Sequence, residues 1–305
     1  MSRFVHPAPL IALTAALSLT GCGVASDVRE GLGEVRTDLE SAADEVMTDG
    51  ELFTGSKTLT VDGGSVHVSC SGAPAGDRPV IVLMAGMGDG LDTLAGLQEA
   101  LAENDRVCSY DRFGAGESDP PSGPQSIADT GETLAAVLDD VSPDAPAVLV
   151  GHSLGGLIAA RYAPDHRDRV GGLVLLDATS PTMLDDITGV IPESATGEGA
   201  EVRAQNLAVF EGENPEALVI ASDPRVGSAG DIPVEVIRHG VPYLGEIAEY
   251  GDDLERVWAQ GQERWLELSE QSALSTAAES GHYIHVDEPD LVVEAVRGVV
   301  DRAAD

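Results

Sequence analysis

The sequence predicts an α/β fold with a mostly parallel sheet covered by helices on both faces. Three observations carry this expectation. Short apolar segments alternate with helix-forming stretches along most of the chain, the rhythm of strand–crossover–strand units. Two of the segments, Pro79-Val80-Ile81-Val82-Leu83-Met84 and Val170-Gly171-Gly172-Leu173-Val174-Leu175-Leu176, are apolar without alternation, as strands buried on both faces are. The third is a direct succession of strand, sharp turn and helix: Val148-Leu149-Val150, then Gly151-His152-Ser153-Leu154-Gly155, then Leu157-Ile158-Ala159-Ala160-Arg161-Tyr162.

Taken in order, residues 57–70 alternate on both sides of Asp62-Gly63-Gly64 and read as a hairpin. A polar turn leads to the strand ending at Met84. A helical stretch follows the loop Ala85–Gly90 and extends to Leu101. Residues 106–110 form the fourth strand and run into Asp111-Arg112-Phe113-Gly114-Ala115-Gly116-Glu117-Ser118. A Pro-rich loop, a helix over 126–140, the Val148 strand and the Val170 strand come next. Residues from about 180 to 231 break the rhythm. They are rich in Pro, Gly and acids, with one helical patch at 202–210, and read as a lid over the carboxyl edge of the sheet. Regularity returns with a strand at 232–237, a helix around 258–268, a short strand at 275–278 and a final helix at 289–303.

The charge balance excludes one class of partner. There are 17 basic and 53 acidic residues, a formal net charge of −36, so nucleic acid would be repelled. Apolar content of 43% supplies a core, while aromatics at 4% leave any pocket lined mostly by aliphatic groups.

Residues 1–21 read as a targeting segment outside the fold. Arg3 gives a positive start, and 10–19 form an apolar stretch too short for a comfortable membrane span. It ends in Leu19-Thr20-Gly21-Cys22, which resembles a bacterial lipobox. The resemblance implies cleavage before Cys22 and lipid on that residue, hence an extracytoplasmic, membrane-anchored protein; without use of the lipobox it would be secreted. Residues 22–52 are acidic and Ala/Gly/Ser-containing, a tether with at most one weak amphipathic helix, which leaves 53–305 as the folded domain. In an exported protein Cys70 and Cys108 are either a disulfide or two small buried hydrophobes.

A serine hydroxyl is a weak nucleophile until a base takes its proton and a third group orients the base. Ser280-Gly281-His282-Tyr283-Ile284-His285-Val286-Asp287-Glu288-Pro289 places a histidine between the last strand and the last helix. With that segment the chain resembles the α/β-hydrolases, near their esterase and lipase branches. Four ordered motifs over roughly 57–303 carry the resemblance: Ala85-Gly86-Met87-Gly88, the 110–118 loop, the Gly-His-Ser-Leu-Gly elbow and the late Gly-His pair. It implies an eight-stranded sheet with a lid insertion after the sixth strand, and a serine hydrolase for small-molecule carboxylic esters.

By this resemblance Ser153 is the nucleophile and His282 the base. His285 falls three residues beyond the family's catalytic position and reads as a buried supporting group; His152 reads as a packed, hydrogen-bonded one. The backbone N–H groups of Met87 and Leu154 form the oxyanion hole. Ala85-Gly86 stands where the family usually has His-Gly, which keeps the backbone donor but removes a side chain that braces the loop. The 111–118 loop is expected to be structural. No Asp follows the strand at 234–237, so the acid is Asp177, in Leu-Leu-Asp-Ala, with Glu246 and Asp252 as fallbacks. Cys70 and Cys108 fall on strands that are neighbours in this fold, which favours the disulfide. No cofactor or metal is expected, since no Cys/His cluster has ligand spacing. The sequence leaves other readings open: a catalytically inactive surface binding protein, or a peptidase, thioesterase or lyase of the same fold.

Overall fold

The computed structural model describes residues 52–304. The expected signal segment 1–21, the lipidation candidate Cys22 and all but the last residue of the tether lie outside the described residues. Eight strands form one sheet: β1 (Gly55–Val61), β2 (Gly64–Ser71), β3 (Ile81–Met84), β4 (Val107–Tyr110), β5 (Ala147–His152), β6 (Val170–Leu176), β7 (Val234–His239) and β8 (Ser272–Ala277). Their spatial order is β1-β2-β4-β3-β5-β6-β7-β8. Only β2 breaks the parallel arrangement, pairing antiparallel with β1 and with β4. The expected hairpin is therefore the edge of the sheet, with Asp62 and Gly63 at positive φ in its turn.

The helices are α1 (Ala95–Ala102), α2 (Ile127–Val141), α3 (Leu154–Tyr162), α4 (Met183–Val190), α5 (Gly197–Phe210), α6 (Gly251–Arg264), α7 (Ile284–Asp287) and α8 (Pro289–Ala303). Local chemistry starts them. Ser126 accepts from the Asp129 amide at 3.3 Å and the Asp129 carboxylate accepts from the Ser126 amide at 2.7 Å, a capping box that opens α2. Pro289 sits in the first turn of α8, where its missing N–H costs nothing.

The pleat divides the strands between two faces. Ile81 and Leu83, Val148 and Val150, Val174 and Leu176 pack with Leu97 and Leu101 of α1 and with Val292, Val296, Val299 and Val300 of α8. The intervening Val82, Leu149, Leu173 and Leu175 are as fully buried toward the other face. That double burial is why these strands read as unbroken apolar runs.

Cys70 and Cys108 are direct partners across β2 and β4 and form a disulfide, with Cα atoms 4.1 Å apart. The insertion between β6 and β7 differs from expectation in one respect. It contains two helices, not a single patch. Met183, Leu184, Ile187 and Val190 recur at helical spacing, and Asp185 and Asp186 sit in the first turn, where the helix dipole favours acids. Met183, Ile187 and Val190 seat against Leu244, Leu254 and Trp258. The chain then returns past the start of α2, where the amide of Gln125 donates to the Ala217 carbonyl and that of Val219 to the Gln125 carbonyl. The strand β8 starts three residues earlier than expected and α6 begins at Gly251.

Candidate active site

The carboxyl ends of β5, β6, β7 and β8 converge on one cluster. Ser153 follows β5 directly and caps α3, with φ 49° and ψ −114°. Such a backbone is costly for a residue with a Cβ and persists only where the surroundings impose it. Here they do. A Cβ on Gly151 would lie 2.4 Å from the Gly155 carbonyl carbon, and one on Gly155 would lie 2.4 Å from the Met84 carbonyl oxygen. The turn is stitched to the next strand: the Ser153 amide donates to the Leu176 carbonyl at 3.0 Å and the Thr179 amide to the Ser153 carbonyl at 3.0 Å. Leu154 is the first residue of α3, so its amide has no partner within the helix.

Asp177, the residue after β6, also has a positive φ, 43°, and is fully buried. Its amide is held by the Ile237 carbonyl at 2.7 Å. Its carboxylate collects four donors. His282 Nδ1 donates to Oδ2 at 2.7 Å. His239 Nδ1 lies 2.8 Å from Oδ1 and 3.0 Å from Oδ2, the His239 amide 3.2 Å and Trp258 Nε1 2.8 Å from Oδ1. Burial alone would push this carboxyl upward, but the bonds and charges of His239 and His282 prevail and hold it below the usual carboxylate range. A carboxylate only accepts, so the proton of neutral His282 is on Nδ1 and its Nε2 carries the free lone pair. Glu246 and Asp252, the fallback acids, are exposed.

The other histidines fall where the sequence put them. His152 is buried, and its Nε2 donates to the His282 carbonyl at 3.0 Å, which fixes the loop that carries His282. Burial, and then the neighbouring His282 and His285, push it well below the ordinary imidazole range. His285 is buried with its ring 4.8 Å from that of His152, and burial lowers it to about 4.

The loop after β3 is braced by a buried ion pair. Arg112 donates to the carbonyls of Ala85 at 2.8 Å and Gly86 at 2.7 Å, and grips Glu216 through Nε at 2.8 Å and Nη2 at 2.7 Å. Glu216 Oε1 in turn accepts from the Gly88 amide at 3.2 Å, which flanks Met87 on its other side. The 111–118 loop is thus structural in the expected sense, yet it reaches the site: Arg112 bears on the loop that Ala85 leaves without a side-chain brace.

Sequence reasoning missed four of these groups. His239 stood in plain view at the end of its strand, and Trp258 was read only as part of a helix. Glu255 and Glu216 were not singled out. Glu216 carries a faint signal, an acid at the head of the apolar run Ala217-Leu218-Val219-Ile220.

A sheet of this order, with a strained serine between β5 and a helix, is the α/β-hydrolase fold. The family model for the alpha/beta hydrolase fold matches residues 79–218. Along most of its length the chain is 28% identical to the uncharacterized protein YqjL of Bacillus subtilis, over 80% of this chain and 91% of that one. Several further curated relatives are matched over less than half their length. Among solved structures it is similar to the enol-lactonase of Burkholderia xenovorans LB400, with a TM-score of 0.56 and 22% identity, over 80% of this chain and 100% of that one. It is similar also to the esterase RhEst1 of Rhodococcus sp. ECU1013, with a TM-score of 0.57 and 22% identity, over 81% and 99%.

Proposed function

We propose that this α/β-hydrolase cleaves neutral carboxylic esters through an acyl-enzyme on Ser153, with His282 as base and Asp177 as the acid of the triad. The observation that carries the reading is the 2.7 Å bond from His282 Nδ1 to the buried Asp177 carboxylate, beside a serine held at positive φ. That bond leaves His282 Nε2 free to take a proton, which is the property a serine nucleophile needs.

The steps balance on these groups. Ser153 Oγ attacks the ester carbonyl carbon as its proton passes to His282 Nε2. The amides of Met87 and Leu154 hold the resulting oxyanion; a donor fixed in advance at such a position is worth on the order of 3 kcal/mol in the transition state. Collapse breaks the carbon–oxygen bond, and the alcohol leaves with the proton from His282. Water then attacks the acyl carbon as its proton passes to His282 Nε2; collapse breaks the bond from that carbon to Ser153 Oγ, His282 returns the proton to Ser153 Oγ, and the carboxylic acid leaves.

An esterase and an enol-lactonase among its structural neighbours favour acyl–oxygen bonds as the substrate class. The insertion bears Met183, Leu184, Ile187 and Val190 among Asp185 and Asp186, and the chain is strongly acidic, which favours neutral over anionic esters. The insertion serves as the lid in this reading. p-Nitrophenyl esters of increasing acyl length, with an anionic ester of equal size, test it. Turnover of the neutral series that vanishes in Ser153→Ala supports the proposal; equal turnover by Ser153→Ala overturns it. We also place the enzyme outside the cytoplasm on lipid at Cys22. Labelling with a lipid precursor that is lost in Cys22→Ser supports that anchor, and unchanged labelling removes it.

A further inference from the structure

The carboxylate of Asp177 is shared. His282 takes Oδ2, while His239 spans both oxygens from the other side and Trp258 takes Oδ1. The far nitrogen of His239 is engaged as well: its Nε2 lies 2.8 Å from Glu255 Oε2. Glu255 is not a loose surface acid. Its Oε1 accepts from the amides of Leu244 at 2.6 Å and Gly245 at 3.1 Å, so α6 grips the loop that follows β7. That loop carries Tyr243, whose hydroxyl lies 3.3 Å from His282 Nδ1 and whose ring packs 4.8 Å from that of His239.

Both ring nitrogens of His239 therefore face carboxylates. A neutral imidazole has one N–H and one lone pair, and would set that lone pair against a carboxylate oxygen on one side. Only the doubly protonated ring satisfies both contacts, and the His239 side chain is 7% exposed, so water does not dilute them. Resting on the triad reading above, we propose that His239 is a positioning residue, an imidazolium clamped between Asp177 and Glu255 that shares the charge of the triad carboxylate and fixes its orientation toward His282. The groups that face it are Asp177 at the end of β6, Glu255 and Trp258 on α6, and Tyr243 on the loop after β7; His282 lies across Asp177.

For His239 itself, burial opposes the charge, but the bonds and charges of Asp177 and Glu255 outweigh it and raise the ring to about 9. The clamp therefore holds across the neutral range and releases in alkali. The fold also gains an acid-holding device at the end of β7, the strand after which no Asp follows.

The test is an NMR titration of 15N-histidine-labelled full-length protein, which needs no turnover. In wild type, His239 should carry protons on both nitrogens at pH 7. In His239→Gln, which keeps a donor to Asp177 but removes the charge beside it, the acid limb of kcat/KM for a p-nitrophenyl ester should move upward. Glu255→Gln removes one carboxylate from a partly exposed helix position and should lower the titration of His239 even where His239→Gln proves unstable. A His239 ring neutral at pH 7 in wild type overturns the proposal. So does an acid limb of kcat/KM that stays put in folded His239→Gln. A wild type with no esterase turnover would instead defeat the hydrolase reading, while leaving these titrations to decide the clamp.

Discussion

Two buried ionic clusters stand at the carboxyl end of this sheet, and they are built to different purposes. In one, Arg112 is paired with Glu216, and every contact is saturated: two backbone carbonyls on one side and a bidentate carboxylate on the other. Burial lowers the guanidinium, Glu216 more than offsets it, and the group does not titrate in any ordinary range. In the other, Asp177 is shared by His282 and His239, and His239 by Glu255. Two of its four members are imidazoles, one on each side of the same carboxylate. The first cluster is a fixed brace under the loop of Met87. The second is the part that moves protons in the proposed mechanism.

The comparison is sharpened first where the effect is largest. Asp177→Asn keeps the shape of the second cluster but lets His282 adopt the wrong tautomer; kcat for a neutral ester should fall by about 10⁴-fold with little change in KM. Glu246→Gln and Asp252→Asn serve as controls and should stay within twofold. If one of these two carries the loss and Asp177→Asn does not, the proton-moving role belongs elsewhere.

Next comes the brace. Glu216→Gln leaves the Arg112 charge buried without its partner, which should cost about 3 to 5 kcal/mol in chemical denaturation. Activity measured well below the new melting temperature should also drop, since glutamine offers the Gly88 amide and Arg112 one acceptor oxygen where Glu216 offers two. A variant with unchanged stability would break the contrast, because the pair would then not be a brace.

The smallest effect is on stability with pH. His239 is raised in the folded state from 6.5 to about 9. Its contribution is fully present below about 6.5 and is lost as pH rises through about 9. The melting temperature of wild type should therefore decline over that window, and Glu255→Gln should show a shallower decline that ends earlier. Identical profiles would remove the linkage.

These two clusters also mark how far the sequence could be read. The strands were legible because burial on both faces writes itself as local apolar runs, and Ser153 and His282 because each sits in a short motif with a structural reason for its neighbours. Asp177 was reached from the end of its own strand and from the want of an acid after β7. The rest needed the fold. His239 lies 62 residues from Asp177, and Glu216 lies 104 residues from Arg112. No local spacing announces such pairs, and an acid inside an irregular insertion resembles every other acid in a chain with 53 of them. Helix α4 was missed for a related reason: residues 180–231 read as irregular, and the partners on α6 that order its apolar face are distant in sequence.

The central claim is that Ser153 is made nucleophilic by a histidine held on Asp177. Intact-protein mass after treatment with a fluorophosphonate tests it most directly. Wild type should gain one phosphonyl group, mapped to Ser153 by peptide digestion; Ser153→Ala should gain none, and Asp177→Asn should react far more slowly. A folded wild type that stays unmodified, or a Ser153→Ala variant modified at the same rate, would contradict the account.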